Sequence, residues 1–159
     1  MNSQLTENVK FLQKAALIHE GKVLILKRSE DSDSRPGAWD LPGGNVEWPS
    51  ATEPMANPHQ AEVVREIQEE TGLSFDLGLF TDEALVFFFT FIEPEIQRYS
   101  LICGWRVNLA DDFDQGSIKL SDEHTEWAWI SLDELEAYDF GEPVGTYIKN
   151  IIRRACQRK

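Results

Sequence analysis

The sequence predicts an α/β (α+β) domain in which a mixed β-sheet is sandwiched between helices. Two strongly β-forming runs, 85–92 and 99–109, are separated by a short link that contains a proline. A helical pattern covers 58–71, and a second one begins at Pro143 and continues toward the end of the chain. With 159 residues, 42% of them hydrophobic, the chain has the size of one domain, 1–159, with a substantial core.

The N-terminal third reads as short strands separated by turns. Two apolar runs flank residues 19–22, His-Glu-Gly-Lys, and this arrangement predicts a β-hairpin. Residues 29–37 are rich in Ser, Asp, Arg, Pro and Gly, which predicts a loop. A short strand is expected at 39–41, where Pro-Gly-Gly at 42–44 ends it.

The first helix follows a loop that cannot be regular. Three of the seven prolines lie in 48–58, so neither a helix nor a central strand crosses this segment. Pro58 suits the first helical turn with Asn57 as N-cap, and Gly72 suits the C-cap. Spacing of three predicts an apolar stripe formed by Ala61, Val64 and Ile67.

The C-terminal half begins with the two long β runs, which we expect to pair in antiparallel fashion through 93–97. An acidic loop is expected at 110–126, a short strand at 127–130 and a capping box at 131–134. The last helix presents one apolar face and a basic C-terminal end. The apolar face is formed by Tyr147, Ile148, Ile151, Ile152 and Ala155, and the basic end by Arg153, Arg154, Arg158 and Lys159.

Composition excludes several function classes. The net charge of −13 argues against binding long nucleic acids, which requires a basic surface. No run of eighteen apolar residues is present, and residues 1–14 lack the order of a signal peptide. Cys103 and Cys156 fit no metal-binding spacing, so we expect free or buried thiols and a cytoplasmic location. The charge alone would also fit an acidic scaffold, and a homodimer stays compatible with the sequence.

The most informative segment is 65–73, Arg-Glu-Ile-Gln-Glu-Glu-Thr-Gly-Leu. Helical spacing places Glu66, Glu69 and Glu70 near one another on one face. Like charges at this spacing repel unless a cation lies between them, and a hard divalent ion with oxygen ligands satisfies them. We therefore expect a metal site on this helix.

Residues 43–73 resemble the Nudix box of the Nudix hydrolases, in a MutT-like form. The second half of that box, Arg-Glu-(apolar)-x-Glu-Glu-x-Gly-(apolar), is matched by Arg65, Glu66, Ile67, Glu69, Glu70, Gly72 and Leu73. The lead-in at 37–47 also resembles the family, and the resemblance extends over about 15–135. It implies the Nudix fold and hydrolysis of a nucleoside diphosphate linked to another group, with Mg²⁺ or Mn²⁺ as cofactor.

The chain departs from the family pattern in one place. Gly44 lies 21 positions before Arg65, where the family has 14, so the box covers 44–73 and contains an inserted loop at 48–58. The first box glutamate is consequently missing, since its position falls on Asn57 or Ser50. We leave open whether Glu53 replaces it. The loop is expected to border the site and to influence selectivity.

The resemblance also implies residue roles. The metal ligands implied are Gly44, through its carbonyl, with Glu66, Glu69 and Glu70, and Arg65 would orient a carboxylate. The catalytic set is then Arg65, Glu66, Glu69 and Glu123. Glu123 lies in a later loop that resembles the family's placement of a general base, with Glu126 or a box glutamate as alternatives. Lys27 and Arg28, at a strand end, are candidates for binding substrate phosphates.

The substrate is predicted only by class. A small nucleotide is expected, with neither long nucleic acid nor membrane as a partner. The family's markers for ADP-ribose and for dinucleoside polyphosphates are absent at 87–91, which favours nucleoside triphosphates or another nucleotide. The missing box glutamate leaves a non-catalytic nucleotide-binding module as the alternative.

Overall fold

The structure, a computed structural model, describes residues 4–157. It contains a seven-stranded mixed sheet with an α-helix packed on each face, which confirms the predicted fold class. The strands are β1 (Val9–His19), β2 (Lys22–Arg28), β3 (Trp39–Asp40), β4 (Gly43–Asn45), β5 (Leu85–Glu93), β6 (Arg98–Asn108) and β7 (His124–Ile130). The helices are α1 (Pro58–Thr71) and α2 (Thr146–Gln157).

Strand β1 organises the sheet. The strand order is β3-β2-β1-β6-β5, β4 pairs with β1, and β7 pairs with β2. β1 runs parallel to β6 along most of its length and antiparallel to β2 and β4. Side chains of β1 alternate between two cores: Ala15 and Leu17 pack in the core with α1 residues, and Ala16 and Ile18 pack in the core with α2 residues.

Most predicted elements are confirmed, with small shifts at their ends. The β1–β2 hairpin and the antiparallel β5–β6 pair form as expected. Strand β7 begins at His124, earlier than predicted, because pairing with Arg28 of β2 lengthens it. Helix α2 begins at Thr146, after a turn that starts near Pro143, and its predicted apolar face is buried or half-buried. Arg158 and Lys159 lie outside the described residues.

Helix α1 has the predicted bounds but a different buried face. Gly72 ends it in a left-handed conformation (φ 75°), and its N–H donates to the Gln68 carbonyl at 2.8 Å. Asn57 occupies the N-cap position, but its side chain makes no capping hydrogen bond. The predicted stripe was wrong at Ala61, which is exposed. The buried residues of α1 are Val63, Ile67, Glu70 and Thr71.

The two cysteines are free, as the sequence predicts: Cys103 is buried in β6 and Cys156 is half-buried in α2. Within residues 4–157, no helix is both long enough and apolar enough to cross a membrane.

A buried ionic network joins β1, β2, β3 and the loop before β3. Asp40 is fully buried, and its Oδ2 accepts hydrogen bonds from Lys14 at 3.0 Å, Arg28 at 2.9 Å and Arg35 at 2.9 Å. Its Oδ1 accepts from the Leu41 N–H at 2.7 Å. Burial would raise the pKa of the Asp40 carboxyl, but the charges of its three cationic partners together lower that pKa to about 2. The carboxylate therefore stays ionised inside the fold.

Replacing Asp40→Asn should destabilise the protein strongly, because three cationic groups lose their shared counter-charge. Removal of one partner from a buried ion pair typically costs about 3–5 kcal/mol. Urea unfolding at pH 7 measures the free energy of unfolding, and Asp112→Asn, at an exposed position, is the matched control. A free energy within about 1 kcal/mol of wild type would contradict the role given to this network.

The pH dependence has a defined sign. Since the pKa of Asp40 lies below its ordinary value of 3.8, its stabilising contribution is present above about pH 4 and is lost as the pH falls toward 2. Asp40→Asn should lack this component of acid unfolding.

Candidate active site

A cleft of about 1000 Å³ lies on the α2 side of the sheet. Carboxylates of α1 and of the loop before β7 form one end of it, beside β4. β1, β6 and β5 continue its wall away from this acidic end, and α2 and the loop at 31–35 also line it. The acidic residues at this end are Glu66, Glu70 and Glu123.

Glu70 is held against the backbone of β4. Its side chain is buried, and its Oε2 accepts a hydrogen bond from the Gly43 N–H at 2.9 Å. Burial raises the pKa of Glu70 to about 8, although Lys14 and the Gly43 N–H oppose that rise. A carboxyl in this position lacks sufficient positive charge nearby, which a bound cation would supply.

Glu66 occupies the space in front of Gly44. A Cβ added at Gly44 would lie 2.6 Å from the Glu66 carboxyl carbon, so only glycine leaves room for this side chain. Burial raises the pKa of Glu66, while the charge of Arg65 opposes the shift. The two glycines of β4 therefore set the positions of two carboxylates of α1.

Arg65 holds the outer side of the acidic end. Its guanidinium donates to Glu62 at 2.8 Å and to Glu66 at 3.0 Å, and it lies 3.9 Å from Glu47. The hydrogen bond to Glu66 is the contact through which Arg65 would orient that carboxylate, and this role remains a prediction. Glu62 was not predicted from the sequence, although its i,i+3 spacing from Arg65 is a recognisable signal. Within residues 4–157, the carboxylates bound to Arg65 do not include Glu53.

Glu69 points away from the cleft. Its side chain is 56% exposed, and both carboxylate oxygens accept from Arg65 Nη1 at 2.9 Å. The structure therefore brings together Glu66 and Glu70, and places Glu69 beside Arg65 instead. A metal-binding role for Glu69 remains a prediction.

Glu123 and His124 complete the acidic end. One ligand atom from each of Glu70, Glu123 and His124 lies within 4.8 Å of the others. Burial lowers the pKa of His124 to about 4, so its imidazole is neutral at pH 7. Its buried Nδ1 has no hydrogen-bond partner in the part of the chain that the structure describes. His124 was not predicted as a ligand, because no second histidine stands at a metal-ligand spacing from it, although it directly follows the predicted base Glu123.

These donors fit a divalent cation. The site offers carboxylate oxygens and a neutral imidazole whose buried nitrogen is unpaired. Carboxylate oxygens suit Mg²⁺ and Mn²⁺, and imidazole is a ligand of softer divalent ions. The carboxylates therefore fit a divalent cation of the kind that the sequence predicts, whereas the imidazole would favour a softer ion than Mg²⁺.

The remaining predicted residues lie in different surroundings. Arg28 lines the cleft, where its guanidinium binds Asp40 and the Ser34 carbonyl. Lys27 is 3.4 Å from Glu126, and neither of them lines the cleft. Of the two candidate general bases outside the Nudix box, Glu123 therefore lines the cleft and Glu126 does not. Phosphate binding by Lys27 and Arg28 remains a prediction.

A family model described as the NUDIX domain matches residues 14–150. The chain belongs to the Nudix family. It is a Nudix-type hydrolase, a class that acts on phosphoric acid anhydrides, and the resemblance found in the sequence is confirmed. Residues 48–57 contain neither helix nor strand, and among the described residues of the cleft wall none belongs to 48–58. That 48–58 is an insertion bordering the site remains a prediction.

Solved structures agree with this assignment. A MutT protein from Methanosarcina mazei Go1 is 25% identical with a TM-score of 0.63, and the match covers 96% of each chain. A MutT NUDIX hydrolase from Burkholderia pseudomallei is 23% identical with a TM-score of 0.65, covering 93% of this chain and 98% of that one.

A bifunctional NMN adenylyltransferase/ADP ribose pyrophosphatase from Francisella tularensis, complexed with AMP and a Mn ion, is 19% identical with a TM-score of 0.61. That match covers 96% of this chain and 43% of the larger protein. No curated protein matches the chain.

The two glycines of β4 should respond differently to alanine. Gly44→Ala displaces only the flexible end of Glu66, so stability should change by less than about 1 kcal/mol, while Mn²⁺ binding weakens about 10–100-fold. Gly43→Ala should cost about 2 kcal/mol or more, because its φ is 141° and the added Cβ would lie 2.0 Å from the Gln13 carbonyl oxygen.

Thermal unfolding and Mn²⁺ titration calorimetry measure both effects. Wild-type Mn²⁺ affinity in Gly44→Ala would contradict the proposed seating of Glu66.

Proposed function

We propose that the protein is a metal-dependent pyrophosphohydrolase of small nucleotides. It would cleave a nucleoside diphosphate linked to another moiety, such as a nucleoside triphosphate, by attack of water on a phosphate anhydride. The observation that carries this proposal is the cluster of Glu70, Glu123 and His124 in a cleft that Glu66 also lines. The products would be a nucleoside monophosphate and pyrophosphate, or a phosphorylated remainder.

Glu66 and Glu70 are the proposed principal metal ligands, with the Gly44 carbonyl and Glu69 as the further ligands implied by the family. His124 is an added candidate because its Nδ1 lacks a partner among the described residues. When bound, Mg²⁺ or Mn²⁺ neutralises charge on the anhydride oxygens and lowers the pKa of a bound water. The AMP and Mn ion named for the Francisella tularensis structure support this choice of substrate class and metal.

The chain itself would position the reactants and accept the proton. Arg65 keeps the Glu66 carboxylate in one orientation through the hydrogen bond at 3.0 Å. Arg28, at the wall of the cleft, would contact substrate phosphate. Glu123, exposed at the same end, would accept the proton of the attacking water.

A non-catalytic nucleotide-binding module is the second candidate. It is favoured by the missing first box glutamate, since Asn57 and Ser50 carry no carboxylate and Glu53 is not among the described partners of Arg65. The intact Glu66–Glu70–Glu123 end favours catalysis.

We also propose a cytoplasmic location, which the two free cysteines support.

Hydrolysis of a nucleotide panel with Mg²⁺, followed by identification of the products, tests the proposal. We expect release of a nucleoside monophosphate from at least one member. Glu66→Gln should reduce turnover about 10²-fold, because a ligand charge is lost. If no member released phosphate or pyrophosphate while binding tightly at saturating metal, the binding module would be the correct function.

Glu123→Gln separates a base from a metal ligand. As a base, Glu123 should contribute about 10²–10⁴-fold to kcat, so the variant should turn over slowly and bind Mn²⁺ as wild type does. Glu126→Gln is the matched control, because Glu126 lies on β7 only three residues after Glu123 but does not line the cleft. A loss of Mn²⁺ affinity in Glu123→Gln would make Glu123 a ligand, and unchanged kcat would exclude both roles.

A further inference from the structure

The cleft extends along the sheet, away from the carboxylates, over three neighbouring strands. The pairing of β1 with β6 and of β6 with β5 aligns side chains in rows across these strands. Two such rows line this part of the cleft, Leu12–Ile102–Phe89 and Lys10–Ser100–Phe91. We call these six residues the distal arm.

The distal arm presents two aromatic rings that the core does not cover. Phe89 is 40% exposed and Phe91 is 49% exposed, and both line the cleft. Phe87 lies two residues before Phe89 on β5, nearer to the carboxylates, and it is buried. The rings of Phe87 and Phe89 stack with centroids 6.0 Å apart and planes at 23°. Phe89 is therefore supported from one side and open toward the cleft. A flat aromatic ligand would cover such surfaces favourably.

The polar end of the arm offers hydrogen-bond donors. Arg98 lines the cleft next to Lys10 and is bound to Glu93 at 2.7 Å. Within residues 4–157, no carboxylate lies within ion-pair distance of the Lys10 ammonium. Partial burial and then the charge of Arg98 lower the pKa of Lys10, while the charge of Glu93, which lines the same cleft, opposes this shift. An ammonium donates three hydrogen bonds and accepts none, so an acceptor oxygen on a ligand would satisfy it.

We propose that the distal arm binds the nucleobase of the substrate against Phe89 and Phe91, and that Lys10 selects bases with an exocyclic oxo group over their amino counterparts. This inference rests on the proposed function, because it takes the carboxylate end as the phosphate site. Lys14, which pairs with Gly43, and Lys10 are four residues apart along β1, a span of about 13 Å. An extended nucleotide has a comparable length between its phosphates and the far edge of its base.

Binding of nucleoside monophosphates without divalent metal tests the arm separately from catalysis. IMP and AMP differ at the 6-oxo or 6-amino group, and UMP and CMP differ in the same way at position 4. Calorimetry should give about fivefold tighter binding of IMP than AMP and of UMP than CMP, the value of one net hydrogen bond. Lys10→Met should remove both preferences.

The ring contacts have an internal control on the same strand. Phe89→Ala should weaken binding of all four nucleotides, whereas Phe88→Ala should not, because Phe88 lies on the opposite face of β5 and outside the cleft wall. Phe89→Leu keeps an apolar side chain and should still weaken binding if Phe89→Ala proves unstable.

Equal affinity for IMP and AMP and for UMP and CMP would overturn the inference. So would a preference retained in Lys10→Met, or equal effects of the alanine substitutions at Phe88 and Phe89. Absence of binding by any monophosphate would overturn it too. If the base preference is observed but no nucleotide is hydrolysed, base binding by the distal arm is supported and the proposed hydrolysis is refuted. If nucleotides are hydrolysed but no base preference is observed, only base binding by the distal arm is refuted.

Discussion

The contact between α1 and the glycine backbone of β4 determines the geometry of the site. Gly43 has room only for a hydrogen atom in front of the Gln13 carbonyl, and its N–H donates to the Glu70 carboxylate. Gly44 leaves the space that the Glu66 carboxyl fills. This approach brings two carboxylates close together in a partly buried position, where both pKa values rise. The resulting excess of negative charge is what a divalent cation would relieve.

Charge changes along the cleft. The acidic end is followed by Lys14, Arg28 and Arg35, which all donate to the same oxygen of Asp40. That shared carboxylate offsets part of their positive charge, so side-chain cations alone supply limited neutralisation for a polyphosphate. In the proposed reaction, a bound metal ion would supply the remaining positive charge.

Sequence patterns predicted the elements whose signals are local. The hairpin around residues 19–22, the β5–β6 pair and the end of α1 at Gly72 depend on short-range turn and cap chemistry, and all three are present. The buried face of α1 was predicted less well. Spacing allowed Ala61 to face the sheet, but the buried face of α1 carries Val63 and Ile67 together with Glu70, which accepts a hydrogen bond from Gly43.

The site was predicted only in part, because some of its residues are recognisable from a local motif and others depend on contacts formed in the fold. Glu66 and Glu70 were identified from the motif, and the structure brings both to the cleft. Glu69 has the same local spacing but is bound by Arg65, a competition that helical periodicity cannot resolve. His124 directly follows the predicted base Glu123, but a lone histidine carries no ligand spacing, and its place in the cleft depends on the pairing of β7 with β2.

The most direct measurement is anomalous diffraction from crystals grown with saturating Mn²⁺. The account predicts an anomalous peak in the cleft that is coordinated by carboxylate oxygens of Glu66 and Glu70. Ordered side chains at both positions with no Mn²⁺ between them, in crystals that contain the ion at saturating concentration, would contradict it.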